Sequence, residues 1–119
     1  MVEDEADTRE TLSAALAGEG YAVVLAPDGR AALDYLRHSE PPDVIVLDLL
    51  LPVLDGWAIL EQLDEILPGR RPRVILTTGA PYIGPDWAKA HGCDGFLRKP
   101  FESATLLREV RLSLGTAEA

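Results

Sequence analysis

The stretch from Val44 to Gly56 constrains the fold more than any other part of this sequence. It opens with four apolar residues, Val44 to Leu47, of which three are β-branched. A short run of this kind is typical of a strand buried on both faces of a parallel sheet. The run ends on Asp48, and Pro52 and Gly56 mark the loop that follows. A carboxylate at the carboxyl end of such a strand lies where open α/β sheets bind ligands, although an aspartate there can also cap the next turn.

Strand-like and helix-like patterns alternate five times along the chain. The predicted strands are a stub at residues 1–2 and the segments 21–26, 44–48, 74–78 and 95–98. Helices are predicted from a cap at Asp7 to before Gly20, and over 30–38, from 55 or 56 to 67, 86–91 and 103–114. Short connections and right-handed crossovers then give a three-layer α/β fold, in which helices cover both faces of a doubly wound, five-stranded parallel sheet.

Composition limits the classes of function. The 119 residues allow one domain, and 47% apolar with 26% charged residues is an ordinary globular balance. A net charge of −9 repels nucleic acid and anionic membrane surfaces. The single cysteine, Cys93, excludes an internal disulfide. No apolar segment approaches the roughly 18 residues of a membrane span, and no leader opens the chain, so we expect a soluble, cytoplasmic protein.

Polar residues follow most of the predicted strands. Because the carboxyl ends of parallel strands meet at one edge of a sheet, we expect these side chains to converge there. They are Glu3, Asp4, Asp48, Thr77, Thr78 and Lys99. Crowded carboxylates repel one another, and a divalent cation such as Mg²⁺, which prefers oxygen ligands, relieves that repulsion.

A carboxylate nucleophile, a metal, a lysine and a hydroxyl are the parts of a site for phosphoryl transfer onto an aspartate. Lys99 is a point cation suited to a phosphoryl oxygen or to Asp48 itself. The alternative for Lys99 taken alone is a simple salt bridge to a carboxylate. The whole set together favours the phosphoryl-transfer interpretation.

Four motifs carry a resemblance to a known family. They are Val2-Glu3-Asp4-Glu5, Leu47-Asp48 through Pro52 to Asp55-Gly56, Val74 to Gly79, and the segment GCDGFLRKPF at 92–101. In this order they resemble the receiver domain of response regulators, the phosphoacceptor half of a two-component signalling pair. The resemblance covers essentially the whole chain, so residues 1–119 are interpreted as one receiver domain. It implies a flavodoxin-like sheet with strand order 2-1-3-4-5.

The resemblance also implies the acceptor and the metal ligands. Asp48 takes a phosphoryl group from a phosphohistidine on a sensor kinase, which makes an acyl phosphate. Asp4, Asp48 and the backbone carbonyl of Leu50 bind Mg²⁺ directly, and Glu3 acts through water. Catalysis is then limited to the protein's own phosphorylation and hydrolysis, so no enzyme activity on other substrates is expected.

The remaining implied roles concern phosphoryl binding and switching. Thr78 and Lys99 hold phosphoryl oxygens, and the Lys99–Pro100 bond is expected to be cis. Thr77 is the alternative hydroxyl, since it has the better spacing to the Gly-rich segment, but the two threonines face opposite sides of the strand and only one can serve. Phe96 occupies the family's aromatic switch position and turns inward on phosphorylation, although it can equally be an ordinary core aromatic. The surface of the fourth helix, fifth strand and fifth helix then changes for partners.

The first strand departs from the family pattern. It should be central in the sheet, yet only Met1 and Val2 remain of it, some four or five apolar residues short. A truncated central strand leaves neighbouring backbone groups without partners, each costing on the order of 1–3 kcal/mol when buried. We therefore predict poor stability or self-association for the chain as written.

Alternatives and partners complete the interpretation. The main alternative is a receiver-like protein-interaction module that never takes phosphate. An aspartyl phosphatase is disfavoured because Leu50 stands where a second aspartate is needed, and a flavodoxin because acids replace its phosphate loop. The implied partners are a sensor histidine kinase or histidine phosphotransfer protein, a downstream protein target or output domain, and a second copy in a homodimer. No direct nucleic-acid or membrane partner is expected.

Overall fold

The computed structural model describes residues 1–2, 6–21, 26, 28–49, 56–69 and 71–114, with the side chains of residues 6, 56 and 57 left aside. From α2 onward, the helices in these residues alternate with strands along the chain. In chain order the elements are α1 (Ala6–Gly18), α2 (Gly29–His38), β1 (Val44–Asp48), α3 (Gly56–Ile66), β2 (Arg73–Thr78), α4 (Pro85–Ala90), β3 (Gly95–Arg98) and α5 (Ser103–Leu114). The predicted helices are thus present within a few residues of their expected bounds.

The sheet is parallel and has the predicted strand order. β1 pairs with β2 and β2 with β3, both in parallel. On the other side of β1, Val2 forms parallel bridges to Leu47 and to Ala26. The order is therefore Ala26, Val2, β1, β2, β3, which confirms the flavodoxin-like order 2-1-3-4-5. The predicted strand at 21–26 is described only at its two ends.

Two apolar layers cover the two faces of this sheet. The side chains of successive strand residues alternate between the faces, so Ile45 and Leu47 pack toward one layer and Val46 toward the other. Buried residues of α2, α3 and α4 form the first layer, and those of α1 and α5 form the second. Both faces of β1 and β2 are thus covered, which explains their uninterrupted apolar sequences. The predicted three-layer α/β architecture is confirmed.

The stub of the first strand holds its place through backbone hydrogen bonds. The Val2 N–H donates to the Val46 carbonyl at 2.8 Å, and the Asp48 N–H donates to the Val2 carbonyl at 3.1 Å. The Ala26 N–H donates to the Met1 carbonyl at 2.9 Å on the other side. These bonds put Val2 beside Leu47, near the carboxyl end of β1.

A cavity of about 390 Å³ lies beside the amino-terminal half of β1. Its apolar lining includes Val2, Val44, Val46 and Val110. Met1, Tyr21 and Ala26 also line it, so it lies on the side of β1 where Val2 pairs. Burial in this region lowers the pKa of the Met1 α-amino group from 8.0 to about 6, because the charged form loses its hydration.

None of the helices within the residues that the structure describes is long and apolar enough to cross a bilayer.

Candidate active site

Asp48 is the last residue of β1, and its location follows from the strand. The apolar residues before it are drawn into the core, and the strand delivers the aspartate to the carboxyl edge of the sheet. Asp48 is only 5% exposed, and its backbone lies in register with Thr77 on β2. An ionised carboxylate buried to this extent needs charge or hydrogen-bond partners, because its desolvation is otherwise very costly.

Lys99 supplies a cation to this carboxylate. It follows β3 directly, and its backbone N–H donates to the Thr78 carbonyl at 2.9 Å, which extends the β2–β3 pairing by one step. The Lys99 Nζ donates to the Asp48 Oδ2 at 2.7 Å, the distance of a charge-assisted hydrogen bond. The Lys99–Pro100 peptide bond is cis. Two residues far apart in the sequence thus form one partly buried ion pair at the carboxyl edge.

The two candidate threonines, Thr77 and Thr78, lie on opposite faces of the sheet. Both are buried, with Thr77 2% and Thr78 1% exposed. The Thr78 Oγ1 accepts a hydrogen bond from the Ala80 N–H at 3.1 Å, so this hydroxyl holds the start of the loop that follows β2. Because side chains alternate along a strand, Thr78 lies on the same face of the sheet as Leu76, and Thr77 on the opposite face.

Phe96 lies on the same face of the sheet as Thr78. It pairs in register with Leu76, is half-buried, and packs against the layer formed by α2, α3 and α4. In this structure the ring is therefore neither fully exposed nor fully buried. The hydroxyl and the aromatic residue that the sequence suggested as a switch pair are neighbours on two adjacent strands.

Arg98 is a residue of this region that the sequence reasoning missed. Its guanidinium donates from Nη1 to the Ala80 carbonyl at 2.7 Å and from Nη2 to the Ile83 carbonyl at 2.5 Å. The same guanidinium lies over the Phe96 ring, 5.3 Å from its centroid. The alternation of β3, which puts Arg98 and Phe96 on one face, was the signal that could have pointed to it.

Three of the predicted site residues lie outside the described part of the chain. They are Glu3, Asp4 and Leu50, which the sequence suggested as metal ligands. Within the described residues there is no cluster of three or more His, Cys, Asp or Glu side chains that could hold a metal ion. The structure therefore brings together Asp48 and Lys99, with Thr78 on the adjacent strand.

The sequence of this chain is similar to those of known proteins. The family described as the response regulator receiver domain matches residues 1–111. Response regulator MprA of Mycolicibacterium vanbaalenii is 36% identical over 115 residues, which are 96% of this chain and 48% of that protein. Transcriptional regulatory protein CseB of Streptomyces coelicolor is 33% identical over 114 residues, with 96% and 47% covered. The chain thus spans about half the length of these curated relatives.

Solved structures agree with the sequence comparison. The receiver domain of a sensor histidine kinase from Pseudomonas aeruginosa, with a magnesium ion coordinated in its active site cleft, matches with a TM-score of 0.82 and 31% identity, covering 96% of this chain and 93% of that one. A chemotaxis response regulator of Vibrio cholerae matches with a TM-score of 0.80 and 29% identity, covering 94% and 93%. The chain belongs to the response regulator receiver domain family.

Proposed function

We propose that this domain accepts a phosphoryl group on Asp48 in a Mg²⁺-dependent reaction and changes its surface in response. The observation that carries the proposal is the buried Asp48 carboxylate held by Lys99 at 2.7 Å. A lone buried salt bridge contributes little net stability once desolvation is counted. Its position at the carboxyl edge of a parallel sheet, where α/β folds bind their ligands, supports a chemical role.

The proposed reaction is an in-line transfer. A carboxylate oxygen of Asp48 attacks the phosphorus of a phosphohistidine, and a new oxygen–phosphorus bond forms as the nitrogen–phosphorus bond breaks. The electron pair of the broken bond returns to the imidazole of the donor, which then takes up a proton. Lys99 neutralises part of the charge on the phosphoryl oxygens, because its ammonium already lies against the acceptor carboxylate.

The residues near Asp48 fit a magnesium ion. Asp48 itself offers a buried carboxylate of the oxygen type that Mg²⁺ prefers. Its N–H donates to the carbonyl of Val2, the residue that precedes Glu3 and Asp4 in the sequence. In this proposal Asp4 and the Leu50 carbonyl complete the direct oxygen ligands, and Glu3 acts through water. A bound Mg²⁺ would offset the charge of the carboxylates and the phosphoryl oxygens.

The proposed output is a rearrangement that begins at Thr78. A dianionic phosphoryl group on Asp48 attracts the hydroxyl of Thr78, which at present accepts from the Ala80 N–H. Movement of the loop that follows β2 then gives Phe96 room to turn inward. The surface formed by α4, β3 and α5 changes with it, and this is the surface that we assign to downstream partners.

The partners and setting follow from this function. We propose a sensor histidine kinase or a histidine phosphotransfer protein as donor, and a protein target or an output domain as the reader of the phosphorylated state. A cytoplasmic site of action is part of the same proposal. The domain acts on no substrate beyond its own phosphoryl group.

The direct test is the intact mass of the protein after incubation with acetyl phosphate and Mg²⁺. We expect the mass of one phosphoryl group to be added to the wild type and none to Asp48→Asn. The matched control is Asp43→Asn, because Asp43 is an exposed aspartate at the opposite end of β1 and should leave the reaction unchanged. Omitting Mg²⁺ should abolish the addition.

The outcome separates this function from its alternative. If the wild type gains no phosphate from acetyl phosphate or from a phosphorylated histidine kinase, the domain is a phosphorylation-independent interaction module. Equal labelling of the wild type and Asp48→Asn would place the acceptor on another residue.

A further inference from the structure

Arg98 contacts the backbone of Ala80 and Ile83 and the ring of Phe96, and the proposed phosphoryl transfer requires none of these contacts. The loop between β2 and α4, residues 79–84, contains a turn in which the Ile83 N–H donates to the Ala80 carbonyl at 3.3 Å. Pro81 occupies the second position of this turn, which suits its fixed backbone angle. Tyr82 is 80% exposed at the tip. The loop therefore has little apolar contact of its own at its tip.

Side-chain hydrogen bonds hold the 79–84 loop at its start and at its turn. At its start, the Thr78 Oγ1 accepts from the Ala80 N–H. At the turn, Arg98 donates one N–H to the Ala80 carbonyl and another to the Ile83 carbonyl. Ala80 is thus bonded to Thr78 through its N–H and to Arg98 through its carbonyl. A movement of Thr78 changes one of these bonds and strains the other.

The Arg98 guanidinium also contacts the aromatic residue. It lies 5.3 Å from the centroid of the Phe96 ring, within the range of a cation–π interaction. The planar guanidinium can donate to two carbonyls and stack on a ring at the same time, which a lysine ammonium cannot do. A cation in this position keeps the ring in its half-buried place while the loop is held.

We propose that Arg98 is a positioning residue that holds the 79–84 loop and Phe96 in the unphosphorylated arrangement and couples the movement of Thr78 to both. This inference rests on the proposed function for its signal, but the holding role itself does not. Loss of Arg98 should therefore loosen the loop in the unmodified protein. It should also shift the protein toward the switched arrangement before any phosphate is added.

The first test needs no phosphorylation. Amide hydrogen exchange of Ala80 and Ile83 is measured in the wild type, Arg98→Met and Arg98→Lys. We expect exchange to speed up about tenfold or more in Arg98→Met, since two charge-assisted hydrogen bonds are lost, and to an intermediate extent in Arg98→Lys. The matched control is Arg73→Met, because Arg73 is an exposed arginine at the opposite end of the sheet. Equal exchange in Arg98→Met and the wild type would overturn the proposal.

The second test follows Phe96 through the switch. The chain has two phenylalanines, Phe96 and Phe101, so fluorine-labelled phenylalanine gives two resonances, assigned with Phe101→Leu. In the absence of a phosphodonor, we expect the Phe96 resonance of Arg98→Met to lie between the positions of the unmodified and the phosphorylated wild type. Arg98→Lys distinguishes the two hydrogen bonds to carbonyls from the cation–π contact, because lysine keeps the positive charge but lacks the planar guanidinium.

The outcomes distinguish this inference from the proposed function. If Asp48 takes phosphate but the donor-free Phe96 resonance of Arg98→Met coincides with that of the wild type, the coupling role is wrong and the function stands. If no phosphate is taken up, the function fails, and the amide exchange still decides whether Arg98 holds the loop.

Discussion

At the scale of single residues, the ion pair between Asp48 and Lys99 is the feature on which the site depends. Asp48 is nearly buried, whereas the Lys99 side chain retains 27% exposure. The two partners therefore differ in what happens when the other is removed. Without its aspartate, the lysine ammonium can still reach water, while the carboxylate without its ammonium remains in a desolvated position.

A double-mutant cycle tests this asymmetry. We expect Lys99→Met to lower the free energy of unfolding by about 1–3 kcal/mol, and Asp48→Asn to have a smaller effect. The double variant should be more stable than Lys99→Met alone, because the neutral amide no longer needs a cation. Urea denaturation without Mg²⁺ measures all three. Equal stabilities of the double variant and Lys99→Met would contradict the account.

Cys93 gives a second prediction at this scale. It is buried and packs in the layer formed by α2, α3 and α4, and burial raises the pKa of its thiol from 9.0 to about 11. The difference of two units lowers the thiolate fraction near neutral pH by about 100-fold. We expect alkylation of the folded protein by iodoacetamide at pH 8 to be at least that much slower than in urea. Comparable alkylation rates in the folded and the unfolded state would show that the thiol is accessible and that its pKa is not raised.

The residues of the site were partly predictable from the sequence. Asp48, Thr78 and Lys99 each follow an apolar strand, and the topology alone brings such residues to one edge. The role of Arg98 was not predictable, because its partners are the backbone carbonyls of Ala80 and Ile83, and carbonyl positions in a loop leave no trace in side-chain pattern.

At the scale of the elements, two glycines that follow helices have backbone angles that disfavour other residues. Gly20 follows α1 with φ of 91°, and Gly92 follows α4 with φ of 83°. This left-handed region is available to glycine without the steric cost that a Cβ brings. The two positions differ in their neighbours. Nothing lies within 4 Å of a Cβ at Gly20, whereas one at Gly92 would lie 2.7 Å from the Arg71 Nη1.

The pair of glycines makes a matched experiment. Gly20→Ala should cost about 1–2 kcal/mol from backbone strain alone. Gly92→Ala should cost more, because the guanidinium of Arg71 must also move away. Thermal or urea unfolding of both variants measures the difference. If both substitutions cost the same, the arginine moves freely and the contact carries no energy.

The elements themselves were well predicted because their apolar periodicity is strong. α2 begins at Gly29, one residue before the predicted start, and the structure shows that Asp28 caps it, since the Asp28 side chain accepts from the Ala31 N–H at 2.9 Å. The start of α1 was less accurate. Asp7 was expected as its cap, but the helix begins at Ala6, because a single capping residue fixes a boundary only to within a residue or two.

At the scale of the whole molecule, Val2 is the one described residue that joins Ala26 to the sheet of β1, β2 and β3. The cavity of about 390 Å³ is lined by Met1, Val2 and the first residues of β1, and the Met1 α-amino group is partly desolvated there. An apolar cavity of roughly 150 Å³ already binds benzene in other proteins. Poor stability or self-association of this chain remains a prediction.

Adding apolar residues before Met1 tests this prediction. We expect a segment of about four valines and isoleucines to raise the free energy of unfolding by several kcal/mol, through new backbone hydrogen bonds to β1 and filling of the cavity. A glycine–serine segment of equal length is the control. Differential scanning calorimetry measures the shift, and sedimentation shows whether self-association disappears. Equal effects of the two segments would mean that the cavity does not limit stability.

The free energy of unfolding of the given chain and that of the extended chain should depend differently on pH. In the chain as given, the folded state lowers the pKa of the Met1 α-amino group to about 6 from 8.0, so between these values the unfolded state binds more protons. Stability therefore rises from pH 6 to pH 8, by about 2–3 kcal/mol at most. The extended chain has no ammonium at this position and should lose this slope. If the extended chain shows the same rise of stability between pH 6 and pH 8, a group other than the Met1 α-amino group causes it.

The bridge at Val2 also has a mechanical consequence. Among the described residues it alone joins Ala26 to β1, through three backbone hydrogen bonds, whereas β1 pairs with β2 over five residues, so the described residues resist force across the sheet least at Val2. Pulling on the molecule should part it there first, while β1, β2 and β3 with the Asp48–Lys99 pair stay together as one piece. The part that contains the Asp48–Lys99 pair would then outlast the part that opens.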